Sequence, residues 1–103
     1  MLIVNSQNNV PIRLTQERWL HIVSRHPEMR LQQERVLETI EKPDLIQQGD
    51  FGELLAIRFY PKTPLTSKYL IAVYRETNPQ DGFILTAYFT TGPLARRITI
   101  WKR

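Results

Sequence analysis

The sequence predicts an α+β fold in which N-terminal helices pack on a roughly four-stranded antiparallel sheet. Two observations support this class. Residues 15–41 carry apolar side chains at helical spacing, whereas residues 52–102 contain four runs rich in β-branched and aromatic residues. Helices that precede the strands, rather than alternate with them, are typical of α+β proteins. The length of 103 residues fits one domain that covers residues 1–103.

The beginning of the chain predicts a hairpin followed by a helix. Two apolar runs, LIV and VPIRL, flank the polar stretch NSQNN, and this pattern favours a short β-hairpin. Thr15 has the side chain of a helix cap, so we expect a helix to begin directly after it. That helix should end at His26, because Pro27 disfavours helical geometry in the residue before it.

A second helix and a connection come next. The helix is expected to begin between Pro27 and Met29 and to end at Glu41, before a Lys-Pro pair. Its apolar residues Val36 and Ile40 lie four positions apart, on one helix face. Residues 43–52 contain proline and two glycines, and they are expected to form a turn-rich connection.

The second half of the chain predicts strands at residues 52–60, 68–76, 82–90 and 96–102. Side chains alternate between the two faces of a strand. In the third strand this alternation predicts a face that packs against the helices, formed by Phe83, Leu85, Ala87 and Phe89. The opposite face would then carry Thr86 and Tyr88. In the first strand, Arg58 and Tyr60 are expected on the open face of the sheet.

Composition and charge limit the classes of function. Hydrophobic residues make up 42% and charged residues 23%, which is ordinary for a soluble globular protein. The absence of cysteine excludes disulfides and thiolate chemistry. No apolar run approaches the length of a membrane span, so no membrane partner is expected and a cytoplasmic location is predicted. The net charge of +4 favours a polyanionic partner.

Two histidines in the first helix are the first candidates for chemistry. His21 lies between Arg18 and Arg25 on one helix face, where a neutral imidazole can act as a general base beside phosphate-binding guanidinium groups. His26, five residues further on, projects about 140° away from His21. Two plainer interpretations remain open: a solvated basic face for His21, and a partly buried capping residue for His26.

The predicted open sheet face is the second candidate. Arginine, tyrosine and threonine on such a face can hold RNA, because cations contact phosphate and aromatic rings stack on bases. An ordinary amphipathic sheet with one wet side is the alternative. No metal site is predicted, since the histidines lack the spacing of four residues found in zinc-binding helices. Candidate RNA-binding residues are Arg18, Arg25, Lys68, Tyr69, Arg75, Arg96 and Arg97.

Four stretches resemble a known group of enzymes. LTQERWLHIVSRHPEM, VLETIEKPDLIQQGDFGELLAIRFY, KYLIAVYRE and DGFILTAYFTT resemble the phage-type nuclease domains of the barnase–EndoU–colicin–RelE superfamily. The resemblance covers roughly residues 12–91. It implies a toxin-like endoribonuclease with a RelE- or barnase-like fold, which needs no metal or other cofactor. Such enzymes use the ribose 2′-hydroxyl to attack the adjacent phosphate, and they leave 2′,3′-cyclic phosphate and 5′-hydroxyl ends.

The same resemblance implies site residues and partners. His21 and His26 match the helix histidines of the family, Arg58 matches its strand arginine, and Thr86 with Tyr88 matches its last-strand motif. On this basis His21 is expected to be the base and Arg58 the phosphate ligand, with Thr86 or Tyr88 as an orienting hydroxyl or a proton donor. RNA, with tRNA as one candidate, is the implied substrate, and an acidic antitoxin or immunity protein is the implied inhibitor.

Two other functions compete with this expectation. One is a non-catalytic RNA-binding or partner-binding module on the same fold. The other is a metal-dependent DNA nuclease, which is less favoured because carboxylates do not cluster with the histidines in the sequence. Cleavage that resists chelators would eliminate the second alternative.

Overall fold

A computed structural model describes all 103 residues, which form an α+β fold with two α-helices and one seven-stranded sheet. The prediction of N-terminal helices on a four-stranded sheet is therefore wrong. The sheet order is β1-β2-β6-β5-β4-β3-β7. In chain order the elements are β1 (Leu2–Asn5), β2 (Pro11–Leu14), α1 (Gln16–Arg25), a 3-10 turn (Pro27–Met29), α2 (Gln33–Glu41), β3 (Leu45–Gln48), β4 (Leu54–Phe59), β5 (Tyr69–Asn78), β6 (Asp81–Thr90) and β7 (Thr99–Lys102).

The predicted N-terminal hairpin is confirmed, and it belongs to the same sheet as the later strands. β1 pairs with β2 in antiparallel register. β2 then joins β6 in parallel through two residue pairs, Ile12 with Gly82 and Arg13 with Phe83. All other strand pairs in the sheet are antiparallel. The parallel junction was missed because it joins strands that are far apart in the sequence.

The prediction of a turn-rich connection at residues 43–52 missed a strand, because Leu45–Gln48 forms β3. This strand lies between β4 and β7 and pairs with both. It has only four residues, and its second half is two glutamines, so its sequence gives no alternation that marks a strand. Gln47 is buried all the same, and its side-chain amide donates to the Leu94 carbonyl oxygen at 3.1 Å.

The boundaries of α1 are confirmed, whereas those of α2 need correction. The Thr15 hydroxyl accepts a hydrogen bond from the Arg18 backbone N–H at 3.1 Å, as expected of a cap. α1 ends at Arg25, immediately before His26 and the proline. α2 begins only at Gln33, because the residues after His26 turn tightly as a 3-10 turn before the chain becomes helical again.

The main core lies between the helices and one face of the sheet, here called the helix face. Ile22, Met29, Val36 and Ile40 contribute from the helical segment. The sheet contributes nine apolar residues of β2, β4, β5 and β6: Ile12, Leu14, Ala56, Leu70, Ala72, Tyr74, Ile84, Ala87 and Phe89. Tyr60, which follows β4, belongs to the same core. Tyr60 is 7% exposed. The prediction that Tyr60 lies on the open face is therefore wrong.

A β-bulge changes the predicted alternation in β6. Thr86 pairs with Val73, but the next pair joins Ile84 with Tyr74, so Leu85 is an extra residue. As a result Ile84, rather than Phe83 and Leu85, packs on the helix face together with Ala87 and Phe89. The prediction for Phe83 and Leu85 is wrong for this reason. Thr86 and Tyr88 lie on the opposite face, as predicted.

That opposite face, here called the open face, is partly covered by the chain itself. Leu55, Ile57 and Ile71 are at most 5% exposed, although no helix packs on this side of the sheet. Residues 91–98, here called the strap, connect β6 with β7 across it. The strap is held by Gln47 at Leu94 and by the Gln48 N–H, which donates to the Ile98 carbonyl oxygen at 2.9 Å.

Candidate functional site

Helix α1 lies along the edge of β6. Because β2 pairs with β6 at only two positions, the rest of this edge has no strand beside it. Arg18 Nη1 donates to the Leu85 carbonyl oxygen at 3.4 Å, and the His26 ring lies 5.6 Å from the Tyr88 ring. α1 therefore brings cationic and imidazole side chains to the rim of the open face.

His26 contacts other side chains on two sides. Its ring packs at a tilt of 32° against Tyr88, and its Nδ1 lies 3.7 Å from Glu28 Oε1. The side chain is 35% exposed. His26 occupies the cap position of the 3-10 turn but makes no side-chain capping hydrogen bond. The interpretation of His26 as a partly buried capping residue is confirmed, since it is the C-cap of α1 and its backbone N–H donates to the Ile22 carbonyl oxygen at 2.8 Å. Its imidazole takes no part in the cap and contacts Tyr88 and Glu28 instead.

His21 lies elsewhere on the same helix. It is exposed and lines a cleft of about 350 Å³ together with Thr15, Glu17 and Arg18. The helical geometry that predicted a wide angle between the two histidines holds in the structure, since His26 faces β6 and His21 faces solvent. The two imidazoles are therefore not one catalytic pair.

Arg58 is not brought together with Thr86 and Tyr88. Its Nη1 donates to the Lys42 carbonyl oxygen at 2.6 Å, and its Nε lies 3.5 Å from Glu38 Oε1. These partners belong to the C-terminal end of α2, so the side chain lies on the helix face. The prediction that Arg58 lies on the open face is wrong, because the alternation of β4 was assigned to the wrong side of the sheet.

Four of the seven candidate RNA-binding residues lie on the open face or on α1. Tyr69 and Arg75 lie on the open face, since they share the side of β5 that carries Ile71. Tyr69 also packs edge-on against Phe59, with ring centres 5.3 Å apart. Arg18 lies at the rim, and Arg25, seven residues further along α1, is exposed on the same helix face.

Lys68, Arg96 and Arg97 are outside this rim. Lys68 precedes β5, and its Nζ donates to the Pro61 carbonyl oxygen at 2.7 Å. Arg96 and Arg97 belong to the strap and face Asp50, with nitrogen–oxygen distances of 3.9 and 3.2 Å. These two arginines help to fasten the strap near β3.

Three residues near the rim were not predicted: Arg13, Glu28 and Phe83. The guanidinium carbon of Arg13 lies 5.7 Å from the centre of the Phe83 ring, and its Nε donates to Asp81 at 2.8 Å. Alternation along β2 could have indicated Arg13, because Ile12 and Leu14 on either side of it are buried. Glu28 gave no sequence signal, since its contact with His26 depends on the turn after the proline.

In comparisons with known proteins, no family model, no curated protein and no solved structure matches the chain. The superfamily resemblance therefore rests on the four stretches of sequence quoted above. Neither α1 nor α2 has the length and hydrophobicity that a membrane span requires. No three His, Asp or Glu side chains are grouped in a way that could hold a metal ion.

Proposed function

We propose that this protein is a metal-independent, toxin-like endoribonuclease whose active site lies at the rim between α1 and β6. One observation carries the proposal. His26 is packed against Tyr88 on one side and faces the Glu28 carboxylate at 3.7 Å on the other, while it stays partly exposed at the open face. An imidazole oriented by a carboxylate is a common arrangement for a general base.

In the proposed reaction, Glu28 orients the Nδ1 side of His26, so that Nε2 can take the proton of a ribose 2′-hydroxyl. The 2′-oxygen forms a bond to the adjacent phosphorus, and the bond from phosphorus to the 5′-oxygen breaks. A proton from the Tyr88 or Thr86 hydroxyl goes to the leaving 5′-oxygen. The products are a 2′,3′-cyclic phosphate and a 5′-hydroxyl end, and no metal ion is needed.

For two roles, the general base and the phosphate ligand, contacts in the structure favour residues other than those expected from the sequence. We assign the general base to His26 rather than to His21, because only His26 has partners that orient its ring. We assign phosphate stabilisation to Arg18 and Arg25 on α1, because Arg58 is occupied on the helix face. Guanidinium groups placed beside a phosphate stabilise the charge that develops in the transition state.

The proposed partners follow from the same site. RNA is the substrate, with tRNA as one candidate, and we propose that the protein acts in the cytoplasm. An acidic antitoxin or immunity protein would cover the basic rim, because complementary charge accelerates association between proteins. Small acidic proteins encoded beside this one are the first candidates for that inhibitor.

The test is incubation of the purified protein with total RNA in excess EDTA, followed by analysis of the fragment ends. We expect fragments with cyclic phosphate and 5′-hydroxyl ends. His26→Ala should lower the rate of cleavage by about 10²- to 10⁴-fold while RNA affinity is kept, as expected for loss of a general base. His21→Ala is the matched substitution on the same helix, and it should mainly weaken RNA binding.

Two outcomes would contradict this assignment. Loss of cleavage in His21→Ala, with cleavage retained in His26→Ala, would move the general base to the exposed histidine. RNA that stays intact with the unmodified protein, but binds it with strong salt dependence, would support the competing function of an RNA-binding module. The aromatic and basic residues of the rim are what favour that second candidate.

A further inference from the structure

A groove next to the proposed active site shares Arg18 with it, but its other residues have no role in the reaction described above. One cavity, of about 160 Å³, is lined by Arg13, Thr15, Arg18, Phe83 and Ile84. The cleft of about 350 Å³ that contains His21 shares Thr15 and Arg18 with it. The two spaces therefore adjoin at Thr15 and Arg18, and together they are here called the α1 groove, with Phe83 at one end and His21 at the other.

Arg13 is held in position at one end of the α1 groove. Its Nε and Nη2 donate to the two carboxylate oxygens of Asp81 at 2.8 and 2.9 Å, so Nη1 is left for another acceptor. These hydrogen bonds keep the pKa of Asp81 below its usual value, and the pair therefore stays ionised at neutral pH. The guanidinium carbon also lies 5.7 Å from the centre of the Phe83 ring, and this pair of side chains, Arg13 and Phe83, is here called the platform.

Arg18 contributes a second guanidinium to the same end of the groove. Its contact with the Leu85 carbonyl oxygen is long, at 3.4 Å, and uses only Nη1. The carboxylate of Glu17 lines the cleft at the His21 end and not the cavity at the Arg13 end. An anionic group therefore fits best between Arg13 and Arg18, beside the platform.

We propose that the α1 groove binds a nucleotide of the RNA chain that neighbours the cleaved one. Its phosphate would lie between Arg13 and Arg18, and its base would stack on the platform of Arg13 and Phe83. Across the bulge at Leu85, Phe83 and Thr86 lie opposite Arg75 and Val73 of β5, which are two residues apart and therefore about 7 Å apart along the strand. A phosphate and a stacked base at that distance extend the proposed active site by a neighbouring nucleotide. Only the identity of the polymer as RNA rests on the proposed function.

The test uses a fully 2′-O-methylated RNA hexamer of mixed sequence as the probe, because it has no free 2′-hydroxyl and is not cut by the proposed reaction. Fluorescence anisotropy measures its Kd. We expect Phe83→Ala to raise Kd about tenfold, as for the loss of one stacked base. Arg13→Gln should also raise Kd, and it should reduce the slope of log affinity against log salt by about 0.7, the value for one phosphate contact with a single strand.

Matched controls separate binding from general effects. Phe51→Ala removes a phenylalanine that is 80% exposed, and Lys102→Gln removes a positive charge from β7 at the far edge of the sheet. Both should leave Kd at its original value. Phe83→Tyr keeps an aromatic ring and should restore tight binding. Thermal unfolding of each variant tests whether it is folded. If Phe83→Ala is not folded, the salt slope of Arg13→Gln decides whether the groove binds a nucleotide.

The outcomes distinguish the groove from the proposed enzyme activity. Unchanged Kd in folded Phe83→Ala, or an unchanged salt slope in Arg13→Gln, would refute the groove as a nucleotide site even if the unmodified protein cleaves RNA. Weaker probe binding in these variants, together with RNA that the unmodified protein never cleaves, would support the groove and refute the ribonuclease.

Discussion

At the scale of single residues, Tyr60 has the most tightly defined surroundings outside the proposed active site. Its hydroxyl donates to Glu38 Oε1 at 2.6 Å, and the Arg35 guanidinium lies 4.6 Å from the centre of its ring. Burial, supported by the hydrogen bond to Glu38, raises the pKa of Tyr60 to about 12. This cluster joins α2 to the end of β4, and it explains why Arg58, which also pairs with Glu38, is turned away from the open face.

The raised pKa of Tyr60 predicts a dependence of stability on pH. Because the folded state binds the phenol proton more tightly than the unfolded state, this contribution is complete below about pH 10, the ordinary tyrosine pKa. It should disappear as the pH rises towards 12. Urea denaturation at several pH values should show the free energy of unfolding falling in this range, with a smaller fall for Tyr60→Phe.

Tyr74 affects how this experiment is interpreted. Burial raises its pKa in the same direction, so part of the alkaline loss of stability should remain in Tyr60→Phe. The double variant with Tyr74→Phe should remove that part as well. An identical pH dependence in the unmodified protein and in Tyr60→Phe would contradict the role given to Tyr60.

At the scale of elements, the parallel junction between β2 and β6 joins the N-terminal hairpin to the rest of the sheet. It consists of only two residue pairs, and one of them contains Gly82. A Cβ atom at this glycine would lie 2.5 Å from the Arg75 carbonyl oxygen and 2.6 Å from Ile12 Cδ1. The junction therefore needs a residue without a side chain, so that β2 and β5 can both lie close to β6.

Gly82→Ala should destabilise the protein by about 1–3 kcal/mol, the usual cost of forcing extra atoms into a packed region. Gly92→Ala is a matched control, because a Cβ atom there meets nothing within 4 Å. The control should change stability by no more than about 0.5 kcal/mol. Urea denaturation curves of both variants test the prediction, and equal stability of the two would refute the close approach at the junction.

At the scale of the whole molecule, the sheet has a core on each face. The larger core lies under the helices, and the smaller one consists of Leu55, Ile57 and Ile71 on the open face. Half-buried side chains of the same face pack against the smaller core: Leu45, Tyr69, Val73 and Tyr88. Tyr88 therefore links this core to His26 at the rim beside α1.

The second core predicts that Ile57 matters for stability despite the absence of a helix above it. Ile57 is 0% exposed, so Ile57→Ala should cost about 2–5 kcal/mol, as for other fully buried isoleucines. Ile40→Ala in the main core should cost a similar amount. Ile100→Ala, at a position that is 45% exposed, should cost much less. A cost for Ile57→Ala as small as that for Ile100→Ala in urea denaturation would refute the second core as a contribution to stability.

The candidate site was predictable only in part. Alternation along β6 placed Thr86 and Tyr88 on the face without helices, and helical geometry separated the two histidines. The alternation of β4 left two choices of face, and the wrong one was assigned to Arg58. Partners such as Glu28 and Arg13 reach the rim only through the turn after α1 and the pairing of β2 with β6.

The sequence by itself determined the local elements: the hairpin, the cap and end of α1, the main strands and the excess of positive charge. These depend on residues only a few positions apart, through backbone preferences and the period of apolar side chains. Only the tertiary structure decided the parallel junction, the bulge at Leu85, the strand at Leu45–Gln48 and the path of the strap. Each of these depends on contacts between distant segments, whose free energy no local stretch of sequence contains.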